Sequence, residues 1–174
     1  EGAFQYLTSF IIDNNHQFVA VDSYLGRISL FSKSGEYIRS FGVKGISNNQ
    51  LHTPTGVAVL SSNEYLITDF VNGLKVYTQE GIYKKNFSDA EEAIPGESDR
   101  SGFCGVAIDS NQIVYVVKND YSTGMAQILK FSISGEFLGQ AYLGESNQEI
   151  LEGIVTGISV DGNHLYLATT SSQG

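Results

Sequence analysis

Four stretches between residues 55 and 87 carry the hydrophobic pattern of short β-strands. The first, 55–60, is a continuous apolar run, and the next two, 64–69 and 74–78, are rich in aromatic and β-branched residues. The fourth, 82–87, alternates and carries charge. A strand buried on both faces reads as a continuous apolar run, whereas edge strands carry lysines that deter pairing with another chain. The pattern predicts a four-stranded antiparallel sheet with a charged strand at its outer edge.

The same unit recurs along the chain. An aromatic residue, a glycine four positions later and a second aromatic residue two positions after that mark three hairpins: Phe31–Gly35–Tyr37, Tyr77–Gly81–Tyr83 and Phe131–Gly135–Phe137. A glycine followed by an apolar and then a small residue marks three first strands, at Gly56, Gly105 and Gly157. Equivalent glycines lie 46 to 54 residues apart, close to the period of roughly 40–50 residues that is typical of propeller blades.

The spacing predicts an all-β fold, a β-propeller of four-stranded antiparallel blades within one domain, 1–174. We expect blades at about 8–45, 52–88, 103–143 and 154–174, the last incomplete, with first strands at 56–60, 105–109 and 157–161 nearest the axis. An ordinary β-sandwich is the alternative, but it does not require repeated spacings. Helical periodicity is absent apart from 89–94, where one helical turn is expected before Pro95 and Gly96.

These motifs resemble the NHL-repeat family of β-propellers. Its repeat runs Pro-x-Gly-Val/Ile-Ala-Val-Asp, then a strand ending in Ala-Asp, then Asn-x-Arg-Ile-x-Val-Phe, then Gly-x-aromatic and a Phe-Gly exit. Here 53–59 reads TPTGVAV, 21–31 reads VDSYLGRISLF, 68–77 reads TDFVNGLKVY, and 41–42 reads FG. The third repeat departs from the pattern with Lys-Asn-Asp at 118–120 and extra residues at 121–125, and the first has Ser-Phe-Ile at 9–11.

The resemblance implies a complete ring of typically six blades, of which this chain holds about three and a half. An open blade face would be apolar, and soluble proteins avoid such faces outside interaction sites. We therefore expect further blades of the same chain, or a neighbouring subunit, to complete the ring. A head-to-tail contact between open blades is heterologous and can continue into a filament.

Charge and cysteine content narrow the function. The net charge is −9 with only ten basic residues, which argues against nucleic acid, because phosphate binding requires clustered Lys and Arg. This disfavours the RNA-binding function that the resemblance also implies. The single cysteine, Cys104, lies in an apolar strand and is interpreted as a small buried hydrophobe. No apolar run reaches the length of a membrane span.

An extracellular or secreted location is our expectation, and a cytoplasmic one stays open. It is supported by one glycosylation sequon, at Asn86, on the predicted rim strand. The acidic stretch 89–99 is expected to be a solvated loop joining the second and third blades.

No catalytic or cofactor-binding set is recognisable in the sequence. Three carboxylates, Asp22, Asp69 and Asp120, end the predicted second strands, where Asp usually accepts hydrogen bonds from the amides of the following loop. The same three carboxylates are candidate metal ligands, and Ca²⁺ is the metal ion that they would bind. The histidines, His16, His52 and His164, do not have metal-ligand spacing, and we expect them on different blades or faces.

The leading hypothesis is a non-enzymatic propeller that binds protein or glycan, or acts as a scaffold, within a larger assembly. Its binding face would consist of the loops between second and third strands and those between blades. Aromatic residues with few charges are typical of protein-binding surfaces; those expected on this face are Tyr24, Leu25, Phe70, Val71, Tyr121, His52 and Phe103. The alternative is a propeller hydrolase or lyase, lactonase-like or amidating-lyase-like, with a metal in the channel.

Overall fold

In the computed structural model, which describes residues 3–93, 101–143, 154–162 and 164–170, the chain is all-β, as predicted. Fourteen strands among the described residues form three four-stranded sheets and one two-stranded sheet, and within each sheet the strands that follow one another in sequence pair antiparallel. The first sheet contains β1 (Leu7–Ile12), β2 (Phe18–Asp22), β3 (Arg27–Phe31) and β4 (Tyr37–Phe41). The second contains β5 (Pro54–Val59), β6 (Tyr65–Asp69), β7 (Gly73–Tyr77) and β8 (Tyr83–Asn86).

The third sheet contains β9 (Ser101–Ile108), β10 (Ile113–Asp120), β11 (Met125–Ser132) and β12 (Phe137–Leu143), and the fourth contains β13 (Ile154–Asp161) and β14 (His164–Thr170). A 3-10 turn at Glu91–Ala93 lies within the stretch predicted to form one helical turn. The rest of the acidic stretch, 94–99, which includes Pro95 and Gly96, lies outside the described residues.

The sheets stack face to face around the first strands. Strands β1, β5, β9 and β13 contact one another in sequence order, so the first strands are innermost. They begin two to four residues before the glycines from which the sequence predicted them. Gly56 permits the close approach of β5 to β9, since a Cβ atom there would lie 3.2 Å from the Cα of Gly105 and 2.8 Å from the hydroxyl of Thr68.

Apolar side chains fill the spaces between sheets. Between the first and second sheets, Val19, Val21, Ile28 and Leu30 pack with Tyr65, Ile67 and Tyr77. Between the second and third, Leu66, Leu74 and Val76 pack with Val114, Val116, Leu129 and Phe131. A smaller cluster of Val117, Ala126 and Val155 joins the third sheet to the fourth.

The recurrent hairpin glycine is required by backbone conformation and by the stacking of sheets. Gly81 has φ +85°, a left-handed conformation that side chains disfavour, and a Cβ atom there would lie 2.4 Å from the ring of Phe41 in the first sheet. The turn of one sheet therefore rests directly on the last strand of the preceding sheet. This explains why the spacing of the aromatic–glycine–aromatic motif identified the repeat.

Candidate functional site

The first strands and the loops between second and third strands meet in one pocket of about 550 Å³, which we call the mouth pocket. All four sheets contribute to it. Its lining consists of Tyr6, Leu7, Thr8, Ser23, Tyr24, Lys44, Thr53, Thr55, Phe70, Cys104, Tyr121, Val155 and Thr156. The part of the molecule where every repeat delivers a side chain to a common space is the natural place for a ligand.

Four of the lining residues occupy the same position in their repeats. The register of each first strand against its second strand shifts by one residue, and the extra residue is Thr8 in β1, Thr55 in β5, Cys104 in β9 and Thr156 in β13. A β-bulge of this kind leaves one residue outside the pairing ladder and re-aims its side chain. These four bulge residues all line the mouth pocket.

Each bulge side chain lies within hydrogen-bond distance of a main-chain carbonyl oxygen. The Thr55 hydroxyl donates to the Phe103 carbonyl at 2.7 Å. The Thr8 hydroxyl donates to the Pro54 carbonyl at 3.4 Å, and that of Thr156 donates to the Ala168 carbonyl at 3.3 Å. The thiol of Cys104 donates to the Gly102 carbonyl at 3.3 Å. The bonds from Thr8 and Thr55 also tie one sheet to the next.

Aromatic side chains form the rim of the pocket. Tyr24 is 62% exposed and Tyr121 is 45% exposed, and each projects from a loop between a second and a third strand. The ring of Phe70 lies 5.7 Å from that of Tyr121, so the second and third sheets contribute a joined pair. Tyr6, at the start of the first sheet, is also largely exposed.

Lys44 is the charged residue among the described lining residues. Its Nζ donates to the Tyr24 carbonyl at 2.5 Å and lies 4.8 Å from the centre of the Tyr24 ring. The segment that carries it folds back on itself, because Lys44 and Leu51 form a parallel bridge. The ammonium is therefore held at one side of the rim.

Cys104 lies in the wall of the pocket. Its Sγ is 3.7 Å from the hydroxyl of Tyr121. Burial raises the pKa of the Cys104 thiol, and burial, together with the neighbouring thiol, raises the pKa of Tyr121 to about 12. Both groups are therefore protonated at neutral pH, which is the form of a binding surface rather than of an activated nucleophile.

The candidate metal ligands Asp22 and Asp69 accept hydrogen bonds from the backbone. The carboxylate of Asp22 accepts from the amides of Gln5, Tyr6 and Leu25. Burial alone would raise the pKa of Asp22, but these donors and nearby Arg27 together lower it, so the group is ionised.

Asp69 repeats this arrangement in the second sheet, whereas Asp120 does not repeat it in the third. Asp69 is fully buried and accepts from the amides of Thr53, Val71 and Asn72. The carboxylate of Asp120 accepts from the amide and hydroxyl of Ser122, and these bonds lower its pKa. No group of three or more His, Cys, Asp or Glu side chains among the described residues is arranged to hold a metal ion.

The expected binding face is assembled in part. Tyr24, Phe70 and Tyr121 line the mouth pocket. Leu25, Val71 and His52 are adjacent to lining residues in sequence without lining the pocket themselves, and the imidazole of His52 is hydrogen-bonded to the Thr53 hydroxyl at 2.8 Å.

Phe103 corrects the expectation, because it is fully buried between the second and third sheets. The sequence placed it at the loop edge, whereas β9 begins two residues earlier, at Ser101, and carries Phe103 into the core.

Sequence reasoning did not predict that the four bulge residues line the pocket, and it also missed Tyr6 and Lys44. For the bulge residues a signal was present, since Thr8, Thr55, Cys104 and Thr156 each directly precede the recurrent glycine or its counterpart Ser9. The side chain of Asn86, the sequon residue, is exposed at the end of β8, and its Oδ1 accepts hydrogen bonds from Tyr83 at 3.1 Å and Lys75 at 3.2 Å. The described residues contain no helix of a length and apolarity that would cross a membrane.

Comparison with known proteins extends the fold assignment. No family model matches the sequence, and no curated protein matches it. Among solved structures, virginiamycin B lyase from Staphylococcus aureus is similar with a TM-score of 0.63 and 14% identity, over 94% of this chain and 48% of that one. A protein of unknown function from Bacteroides caccae gives a TM-score of 0.59 at 16% identity, over 87% of this chain and 49% of that one.

A streptogramin B lyase structure gives a TM-score of 0.55 at 8% identity, over 94% of this chain and 62% of that one. The chain thus spans between 48% and 62% of the length of these three structures. At these identities the likeness concerns the fold alone. It agrees with the sheet topology in identifying part of a β-propeller.

Proposed function

We propose that this chain is an NHL-type propeller that acts as a non-enzymatic binding module, and that it binds a protein partner at the mouth pocket. The observation that carries the proposal is the convergence of Tyr24, Phe70 and Tyr121, from three successive sheets, on one space. Aromatic side chains are enriched in the cores of protein interfaces because they bury a large area at a small entropic cost. An extracellular location fits the exposed sequon at Asn86 and forms part of the proposal.

A second contact would complete the ring. Phe10 and Ile12 occupy the positions in β1 that Val57 and Val59 occupy in β5, yet they are 62% and 60% exposed. The equivalent residues of the second sheet pack towards the first sheet. We infer that another sheet, from the same chain or from a neighbouring subunit, covers Phe10 and Ile12.

The binding function is tested by panning a displayed peptide library on the purified protein. We expect the selected peptides to lose binding in Tyr24→Ala and Tyr121→Ala and to keep it in Tyr166→Ala, a matched control on the fourth sheet that is also exposed. Circular dichroism establishes that each variant is folded. Peptides that bind all three variants equally would refute the mouth pocket as the protein-binding site, and selective binders on a glycan array would assign the site to glycans instead.

A lyase is the second candidate, favoured by the folds of virginiamycin B lyase and streptogramin B lyase. Chromatographic loss of virginiamycin B on incubation with the protein, absent from a heated sample, would support it. RNA binding is the least favoured candidate, because the net charge is −9.

A further inference from the structure

The mouth pocket presents hydrogen-bond donors to a ligand. Tyr6, Tyr24 and Tyr121 each carry a hydroxyl proton, and the Lys44 ammonium carries three protons, one of which is donated to the Tyr24 carbonyl. Tyr6 and Tyr24 are 65% and 62% exposed, and neither phenol hydroxyl has a hydrogen-bond partner among the described residues. The Tyr121 hydroxyl lies 3.7 Å from the sulfur of Cys104, which is a weak acceptor. These donors are therefore available to acceptor atoms of a ligand.

The rings that accompany these donors are held in place by their neighbours. A Cβ atom at Gly102 would lie 2.5 Å from the Phe70 ring, so Phe70 packs directly on the main chain of β9. The Phe70 ring also lies 5.7 Å from that of Tyr121. The Tyr24 ring, from the first sheet, contacts Lys44, whose Nζ is 4.8 Å from the ring centre. Because aromatic side chains of this kind lose little conformational entropy on binding, the pocket is suited to an apolar ligand group.

The charges around the pocket disfavour a charged ligand of either sign. A cation would lie beside the Lys44 ammonium, and no carboxylate is found among the described residues that line the pocket. An anion could pair with Lys44, but it would also approach the ionised carboxylate of Asp22, which directly precedes the lining residue Ser23. The net charge of −9 repels an acidic partner over long range. An uncharged ligand that is rich in hydrogen-bond acceptors meets neither obstacle.

A proline-rich segment has this chemistry. Proline carries a carbonyl acceptor but no amide proton, and a polyproline II helix has no internal hydrogen bonds, so that its carbonyl oxygens remain free to accept. Such segments dock in aromatic-lined grooves and lose little entropy, because their conformation is already formed. We propose that the mouth pocket binds a proline-rich segment of the partner protein in the polyproline II conformation. This inference rests on the proposed binding function and specifies its ligand.

The helix geometry assigns a role to each side of the pocket. A polyproline II helix has three residues per turn and rises about 3.1 Å per residue, so residues three apart share one face at a separation of about 9 Å. One such proline packs on the Tyr24 ring, and the other packs against the pair formed by Phe70 and Tyr121. The hydroxyls of Tyr6 and Tyr24 donate to carbonyl oxygens of the segment.

The test is an NMR titration of the isotope-labelled protein with three peptides of equal length. The probes are acetyl-hexaproline-amide, the flexible and uncharged acetyl-Gly-Ser-Gly-Ser-Gly-Ser-amide, and the acidic acetyl-Gly-Glu-Gly-Glu-Gly-Glu-amide. We expect hexaproline to shift the amide resonances of Thr55 and Cys104, with a dissociation constant about tenfold lower than for either other peptide, because it is preorganised and apolar. Absence of these shifts, or equal or tighter binding of the serine or the glutamate peptide, would overturn the inference.

Tyrosine-to-phenylalanine substitutions test the donors separately from the rings. Tyr6→Phe and Tyr24→Phe each keep the ring and remove one hydroxyl, so each should weaken hexaproline binding by roughly threefold to tenfold. Tyr166→Phe, at an exposed tyrosine of β14 outside the pocket lining, should leave the affinity unchanged. The dispersion of the amide resonances establishes that each variant is folded. Unchanged affinity in both pocket variants would contradict the proposal, because the carbonyl oxygens would then have no bond from the phenols.

The peptide library separates the failure of this inference from the failure of the binding function. Selected peptides that depend on Tyr24 and are enriched in proline support both. If the selected peptides depend on Tyr24 but are not enriched in proline, the binding function stands and only this inference fails. If no peptide depends on Tyr24, the binding function itself fails.

Discussion

The second and third sheets follow the same repeat but close their mouth-pocket ends differently. In the second sheet the carboxylate of Asp69 is fully buried and holds three backbone amides, one at the start of β5 and two in the loop after β6. In the third sheet β9 and β10 are eight residues long, and Asp120 pairs with Ser101 in the ladder while its carboxylate accepts bonds within the following turn, from Ser122 and Thr123. In the third sheet, main-chain pairing of Asp120 with Ser101 joins the ends of the two strands, as the Asp69 carboxylate and Thr53 amide do in the second sheet.

The difference shows that an aspartate at the same position of two repeats can hold the backbone in one sheet, as Asp69 does, and not in the next, as with Asp120. The longer β10–β11 hairpin carries Tyr121 beside Cys104 and Phe70 at the mouth pocket. The second sheet therefore holds its loop at this end through a buried carboxylate, whereas the third sheet contributes Cys104 and Tyr121 to the pocket without such a support.

The largest expected contrast is between Asp69→Ala and Asp120→Ala. Loss of the Asp69 carboxylate leaves buried amides without an acceptor, which should lower the free energy of unfolding by about 3 kcal/mol. Asp120→Ala removes bonds at an exposed turn and should leave stability essentially unchanged. Urea denaturation of both variants measures the difference. Equal decreases in the free energy of unfolding would show that the two carboxylates stabilise their sheets to the same extent.

A smaller contrast concerns two tyrosines. The Tyr65 hydroxyl donates to Asp13 Oδ2 at 2.8 Å across the interface between the first and second sheets, whereas the Tyr115 hydroxyl donates to Asp109 Oδ2 at 3.3 Å within the third sheet. Tyr65→Phe should lower the free energy of unfolding by about 1–2 kcal/mol, because it strands a buried acceptor. Tyr115→Phe should lower the free energy of unfolding by less in the same denaturation experiment. The reverse order would show that the bond between Tyr65 and Asp13 is not the stronger of the two.

The smallest contrast extends the comparison to the fourth sheet through cysteine reactivity. Burial raises the pKa of Cys104 above its ordinary value of 9.0, so its thiolate fraction at pH 7.5 is smaller than that of an exposed cysteine. Iodoacetamide should therefore alkylate Cys104 slowly, with a rate that keeps rising above pH 9. A Thr156→Cys variant in a Cys104→Thr background places the thiol at the exposed bulge of β13 and should react faster at pH 7.5.

Most of the fold was predictable because its determinants are local. The hairpin glycine at Gly81 is fixed by a left-handed turn, and the buried strands β5, β6 and β7 of the second sheet are visible as apolar or β-rich runs. The glycine and the apolar runs each give a sequence pattern in one repeat that can be compared with the next repeat. The four-stranded antiparallel sheets and the similar solved propellers confirm the fold class that these local signals predicted.

The site was less predictable because it depends on register. A one-residue bulge shifts which side chains face the pocket, and alternation along a single strand does not reveal it. Thr55 therefore read as part of an apolar run, and Phe103 read as a loop residue although the extended β9 buries it. Lys44 reaches the rim on a segment that folds back on Leu51, a contact without a repeat counterpart among the described residues.

The bulges have a consequence for how such a protein changes over time. A residue outside the pairing ladder contributes little to the register of its sheet, so its identity can change without shifting the strands, although at Thr8 and Thr55 a change also removes a bond to the next sheet. One codon in each repeat, at positions 8, 55, 104 and 156, thus rewrites one side of the ligand-facing surface. These four positions can therefore be substituted separately, and both natural mutation and a designed library can change the binding specificity there while the pairing of the strands is kept.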